Sequence, residues 1–242
     1  MILKISALLS ATLLNSAFLV ILRVLRILET SGHDSYGRLI LLVMGFSSLL
    51  VTAVYVNKIK NYKRMLAYSS VENMGILAIG TALGPAAMYA VMLHVIGHSF
   101  AKASFFLTSG NILELYDSRR VSRVSGLNSI DRKTGWLWIF SYLAICAFPT
   151  SSLFISEYLI IKVMFAQHHY FMCALFVILL TVILHGFARV VFSMTFGKVA
   201  EDKEEQVREN RKKLSWCMYV PQIILLTMVF TLGVYVPPFL RF

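Results

Sequence analysis

Acidic residues are scarce in this sequence: 12 Asp and Glu stand against 23 Lys and Arg, with six His, in 242 residues. Charged residues of both signs make up only 14% of the chain, where a soluble domain carries about a quarter, so a water-soluble globular fold is excluded. Cysteine is limited to Cys146, Cys173 and Cys217, far apart and without C-x-x-C spacing. That leaves no framework for an iron–sulfur cluster or a structural zinc, and no metal or redox cofactor is expected. The ten-residue alternating segments of a transmembrane β-barrel are also missing. The longest polar insert, from Lys198 to Lys213, is far too short for a soluble domain.

What fills the chain is apolar: 58% of residues are hydrophobic and the mean hydropathy is +0.72. A bilayer crossing takes about 20 helical residues, and runs of that order recur at about 4–28, 38–56, 67–83, 86–114, 136–166, 170–196 and 214–238. In lipid each backbone polar group must find its partner within the segment, so these runs read as helices. The expected fold class is all-α: a polytopic membrane protein of about seven transmembrane helices, forming one membrane domain over 1–242. The first run lacks a small-residue cleavage site before Glu29 and is followed by further spans, so it reads as a span and not as a signal peptide.

A net charge of +11 invites a nucleic-acid reading, but its distribution argues against one. With the loops assigned alternately to two sides, sixteen of the 23 cations fall on one side, including Lys58, Lys60, Arg119, Arg120 and Lys212. Four, Arg23, Arg26, Arg38 and Arg241, fall on the other, while Lys102, Lys162 and Arg189 lie within spans. This is the positive-inside bias. It predicts a cytoplasmic N-terminus in the cell (inner) membrane, with the lipid bilayer as a partner and no nucleic acid. The insert EDKEEQVRENRKK, in which Glu204 and Glu205 lie within helical reach of Arg208, reads as a short cytoplasmic helix or loop.

The fifth run is longer than one straight crossing and contains AFPTSSLFISEYLI. Pro149 lacks a backbone donor and disfavours helix at Phe148. Thr150, Ser151 and Ser152 offer hydroxyls that satisfy freed backbone groups. The expectation is a helix broken near Pro149 that resumes through Ser152, with Glu157 one to two turns into the resumed half. A hairpin of two short helices is the alternative, at the expense of the Lys/Arg asymmetry of the later loops.

Ionisable groups inside spans are the chemical signal. In HVIGHSFAKASFF, His94, His98 and Lys102 recur every fourth residue and so form one helical stripe. A charge at the bilayer centre costs roughly 2.5–3.5 kcal/mol on insertion scales, so the stripe must face other helices or a wet cavity. Histidine titrates near neutrality and a desolvated lysine exchanges protons there; the stripe reads as a proton wire ending in a switchable charge. The plainer reading is that the histidines only hydrogen-bond neighbouring helices. Zinc is disfavoured, because no H-E-x-x-H pattern is present and the lysine repels a cation. Glu72 in the third span, Glu114 at the end of the fourth, Glu157, and the pair His185 and Arg189 in the sixth are further candidates. Lys162 reads as snorkelling to the surface.

These residues carry a resemblance. NYKRMLAYSSVENMG resembles the D-x-K-R-x-L-A-Y-S-S signature of the antiporter-like membrane subunits of respiratory complex I, membrane-bound nickel–iron hydrogenases and Mrp-type antiporters. HVIGHSFAKASFFLTSGNI is similar to their H-x-x-x-H-x-x-x-K-x-x-x-F-x-x-x-G helix, and FPTSSLFISEYLI to their second broken helix. The glutamate in S-S-x-E-N-x-G leans towards the formate-hydrogenlyase or hydrogenase-4 branch. The resemblance implies that Lys102 is the central lysine, that His94 and His98 belong to the proton wire, that Glu157 is the terminal charge, and that Glu72 is the branch-associated acid.

It further implies a proton-translocating subunit of a respiratory or hydrogenase-type oxidoreductase complex. Such a subunit has no catalytic centre or cofactor of its own, and its partners are the other membrane subunits. Family members carry two inverted five-helix repeats, and this chain matches the second (about 38–196) with one flanking helix on each side. The chain therefore resembles the C-terminal half of a longer subunit, with a companion chain as the expected source of the first repeat. A non-transporting half-subunit or gene remnant is the alternative.

Overall fold

The computed structural model describes residues 2–197, 201–212 and 214–235. Lys198, Lys213, Arg241 and the end of the seventh expected span lie outside them. The described elements are helices: α1 (Ile2–Thr30), α2 (Asp34–Val56), α3 (Tyr62–Ala82), α4 (Pro85–Tyr116), the short α5 (Leu127–Ile130), α6 (Arg132–Ile145), α7 (Ser152–Ala166), α8 (Tyr170–Phe196), α9 (Glu201–Arg211) and α10 (Val220–Val234). Among the described residues β-structure is confined to one antiparallel bridge, between Asn61 and Arg120.

Among the described residues four helical stretches are long and apolar enough to cross a membrane: Asp34–Val56, Pro85–Tyr116, Tyr170–Phe196 and Trp216–Val234. α1 and α3 fill the first and third expected positions, and α3 carries Lys63, Arg64, Glu72 and three neighbouring polar residues among its apolar ones. The fifth position is filled by α6 and α7, 14 and 15 residues long, each too short to span about 30 Å of hydrocarbon alone. Their outer ends lie at opposite faces of the bundle. Asp131, capping α6, meets Arg211, whereas Gln167, ending α7, donates to the Leu83 carbonyl at the α3–α4 turn. The pair is thus one discontinuous crossing, and the hairpin alternative is discarded.

The break follows from its residues. α6 closes with a Schellman-type bond from the Phe148 N–H to the Leu143 carbonyl at 2.9 Å, which requires Ala147 in the left-handed region at φ 50°. Pro149 blocks continuation, and Thr150 is held at φ 83°. Ser151 then caps α7, its hydroxyl accepting from the Phe154 N–H at 3.2 Å.

α4 is the hub. At 32 residues it is long enough to pack along α1, α3, α6, α7 and α10. Small residues bring the neighbours close: Gly45 on α2 and Gly75 on α3 each face the other's carbonyl, 2.9 Å from where a Cβ would sit. Beside the hub, Phe105, Trp138 and Tyr62 form an aromatic core with centroids 4.5 and 6.0 Å from the central indole. The outer faces of α2 and α8 instead expose apolar side chains such as Leu39, Val43, Val54, Ile178 and Val182. Polar groups inside and apolar groups outside is the pattern of a membrane-spanning bundle.

Candidate functional site

Three helices build the polar interior. α3 and α7 both run antiparallel to α4, a register visible in their contacts: Lys102 meets Leu66 and Ser69, while His94 meets Asn73 on one side and Ser156 on the other. Gly97 permits the close α4–α7 approach, since a Cβ there would lie 2.2 Å from the Ser152 hydroxyl and 2.9 Å from Leu153.

His94, His98 and Lys102 are all fully buried, as the stripe predicts. They do not form a ladder among themselves. The Lys102 ammonium donates to the Leu66 carbonyl and to the Ser69 hydroxyl at 2.6 Å, with the Phe106 ring 5.6 Å away. α3 is therefore the lysine's counterpart. Asn73, one turn further along α3, donates from Nδ2 to the Ser69 carbonyl at 2.7 Å. Its Oδ1 lies 3.0 Å from His94 Nε2, and His94 Nδ1 lies 2.8 Å from the Ser156 hydroxyl on α7. The His98 ring is nearly parallel to that of His94, with centroids 6.4 Å apart, and neither of its nitrogens has a hydrogen-bond partner among the described residues. Buried groups of that kind are ordinarily satisfied by ordered water.

Two of the three candidate acids line one cavity. Glu72 and Glu157 line a space of about 200 Å³ together with Cys146 and Ala147 at the helix break and Thr181 on α8. Glu72 is 5% exposed and its Oε2 has no hydrogen-bond partner among the described residues. Glu157 is half-buried, one residue beyond the serine that holds His94. The break and the two carboxylates thus line one cavity, and the serine that holds His94 is the chain neighbour of Glu157.

Other candidates stand apart. Glu114 is exposed at the end of α4, and Lys162 is exposed near the end of α7. His185 and Arg189 are exposed on the outer face of α8, where Arg189 donates to the Asn57 carbonyl at the end of α2 at 2.6 Å. Sequence reasoning missed Ser69, Asn73 and Ser156. All three sit in the very motifs that carry the resemblance, and positions 66, 69 and 73 share one helical face, which is the signal that points to them.

Residues 3–183 match the family model described as "NADH:quinone oxidoreductase/Mrp antiporter, TM". A hydrogenase-4 component F homolog of Methylacidiphilum infernorum is 33% identical over 235 residues, covering 97% of this chain and 47% of that relative. The NADH-quinone oxidoreductase subunit L of Mycobacterium tuberculosis is 29% identical over 127 residues, 52% of this chain and 20% of the relative. The fold is similar to a chain of the archaeal membrane-bound sulfane sulfur reductase complex, with TM-score 0.85 and 20% identity over 98% of this chain and 47% of that one. A chain of the Mrp complex from Dietzia sp. DQ12-45-1b gives TM-score 0.73 and 18% identity over 88% and 47%. This chain thus spans about half the length of the relatives it matches across most of its own sequence.

Proposed function

Because the chain belongs to the NADH:quinone oxidoreductase/Mrp antiporter transmembrane family, we propose that it is a proton-translocating membrane subunit of a respiratory or hydrogenase-type oxidoreductase complex. It has no redox cofactor or catalytic centre of its own. Its partners are other membrane subunits, and residues about 38–196 correspond to the second five-helix repeat. It lies in the cell membrane with a cytoplasmic N-terminus.

The observation that carries this reading is Lys102: a lysine with no solvent exposure, mid-span in an apolar bundle, anchored only to a carbonyl and a hydroxyl of α3 and 5.6 Å from a ring face. Such a site costs free energy, and a purely structural helix contact is made more cheaply by an apolar residue. A charge change in a neighbouring subunit alters the balance between charged and neutral lysine. The released proton has a reservoir in the cavity between Glu72 and Glu157.

Redox-driven formation of a pH gradient by vesicles holding the assembled complex tests this. Lys102→Ala is expected to abolish the gradient, at least a tenfold loss, while the complex still assembles on a native gel. Undiminished pumping by an assembled Lys102→Ala complex contradicts the proposal.

A further inference from the structure

His94 is held between two partners of unequal character. The Ser69 carbonyl only accepts, so the Asn73 amide must turn its NH2 group to it, at 2.7 Å. The same amide then presents its oxygen to His94 Nε2 at 3.0 Å. An amide oxygen also only accepts, so Nε2 carries a hydrogen in every charge state of the ring. Any change in the ring's protonation must happen at Nδ1.

Nδ1 faces the one group in contact with His94 that both donates and accepts. The Ser156 hydroxyl lies 2.8 Å from Nδ1 and 2.7 Å from the Leu153 carbonyl on its own helix. When the ring is neutral, the hydroxyl hydrogen points to the Nδ1 lone pair. When the ring is cationic, Nδ1–H donates to the hydroxyl oxygen, and the hydroxyl hydrogen turns to the Leu153 carbonyl. Both states leave the ring, the serine and the amide without an unmet donor, and they differ by the proton on Nδ1 and one rotation about the serine C–O bond.

We infer that Ser156 is a proton relay to His94, and that His94 exchanges its proton only through Nδ1 on the α7 side and not along α4 towards Lys102. In the charging step a proton borne by water reaches the Ser156 oxygen as the hydroxyl's own proton crosses to Nδ1. Serine is neutral before and after, water is released, and the positive charge has moved to the imidazole. The dead end at Asn73 means that the histidine exchanges protons on the α7 side, through Ser156, and senses Lys102 only through space and through α3. This inference builds on the proposed proton translocation and assigns the entry point of that same site.

The test uses the complex purified with its full chain, grown with ring-15N histidine, the His94 signals being identified by their loss in His94→Gln. Neutral His94 is expected to hold its proton on Nε2, and Ser156→Ala to shift Nδ1 towards a nitrogen free of hydrogen bonding while Nε2 stays unchanged. A merely space-filling serine leaves both nitrogens unmoved, and a neutral ring protonated on Nδ1 overturns the inference outright. In vesicles Ser156→Ala is expected to slow pumping at least tenfold, and Ser156→Thr, which keeps the hydroxyl, to restore at least half of it. Full pumping by an assembled Ser156→Ala complex also overturns the relay. If wild-type vesicles fail to pump, the functional reading falls, while the nitrogen shifts still decide the relay geometry.

Discussion

At the residue scale the polar groups that fix the fold are distinct from those to which the proposed function assigns charge movement. Asp131 belongs to the first kind. It is 1% exposed and caps α6 through the Thr134 N–H and hydroxyl; it also accepts from the Tyr219 hydroxyl at 2.8 Å and pairs with Arg211 at 3.7 Å. Its loss leaves several donors unmet at once. Asp131→Ala is expected to cost on the order of 2–4 kcal/mol, the loss of a helix cap added to that of buried hydrogen bonds to a charge. A markedly lower melting midpoint in detergent is the readout, with a smaller drop for Tyr219→Phe. Equal midpoints for wild type and Asp131→Ala contradict this role. Lys102, His94 and Glu72, all buried, are the groups to which the proposed function assigns the second role. The sequence places them in one bundle interior, because ionisable residues at helical spacing inside apolar runs have to face inward. It does not reveal their partners. Whether His94 meets His98 or Asn73 depends on the antiparallel register of α3 against α4, a tertiary property that no local spacing encodes.

The element that governs the site is the break between α6 and α7. A β-branched residue at positive φ is strained, and such strain amounts to about 1–3 kcal/mol; here it is held at Thr150, with Ala147 left-handed as well. α10 supports the break from outside. A Cβ on Gly233 would lie 2.0 Å from the Thr150 carbonyl oxygen, so the two backbones are in direct contact. Gly233→Ala must displace α10 or the break, and the expected cost is about 1–3 kcal/mol, seen as a lowered melting midpoint with reduced pumping. An unchanged midpoint contradicts that contact. Thr150→Gly relieves the backbone strain and is expected to leave stability equal or raised by about 1 kcal/mol in the folded bundle, set against the extra freedom it gives the unfolded chain. A large destabilisation argues against strain at this position. Pro149 and the hydroxyls after it make the break legible in the sequence. The buttress at Gly233 is not legible, since glycine in a membrane helix signals a close approach without naming its partner.

At the scale of the whole molecule, charge and contacts agree on one polarised bundle. The loops rich in Lys and Arg converge at one end: Asn61 bridges to Arg120, Asn210 donates to the Leu115 carbonyl, Arg189 reaches Asn57, and Arg211 meets Asp131. At the other end Arg38 pairs with Glu29 at 3.1 Å and Asp34 at 3.4 Å, over the turn at Gly84. Single cysteines placed at Lys58, Arg120 and Lys212 in a cysteine-free chain are therefore expected to label from the same side of the membrane, opposite to one at Ser31. A split among the first three contradicts the topology. This end-to-end asymmetry was readable from loop charges alone, since loops answer to the bilayer before they answer to one another.

The central claim is that this bundle works as a subunit of a larger redox-driven complex. It is tested most directly by affinity purification from native membranes in mild detergent, with mass spectrometry of everything retained. Recovery of hydrogenase-like or quinone-reductase-like subunits is the predicted result. A chain that elutes alone from membranes in which it is abundant would contradict the account.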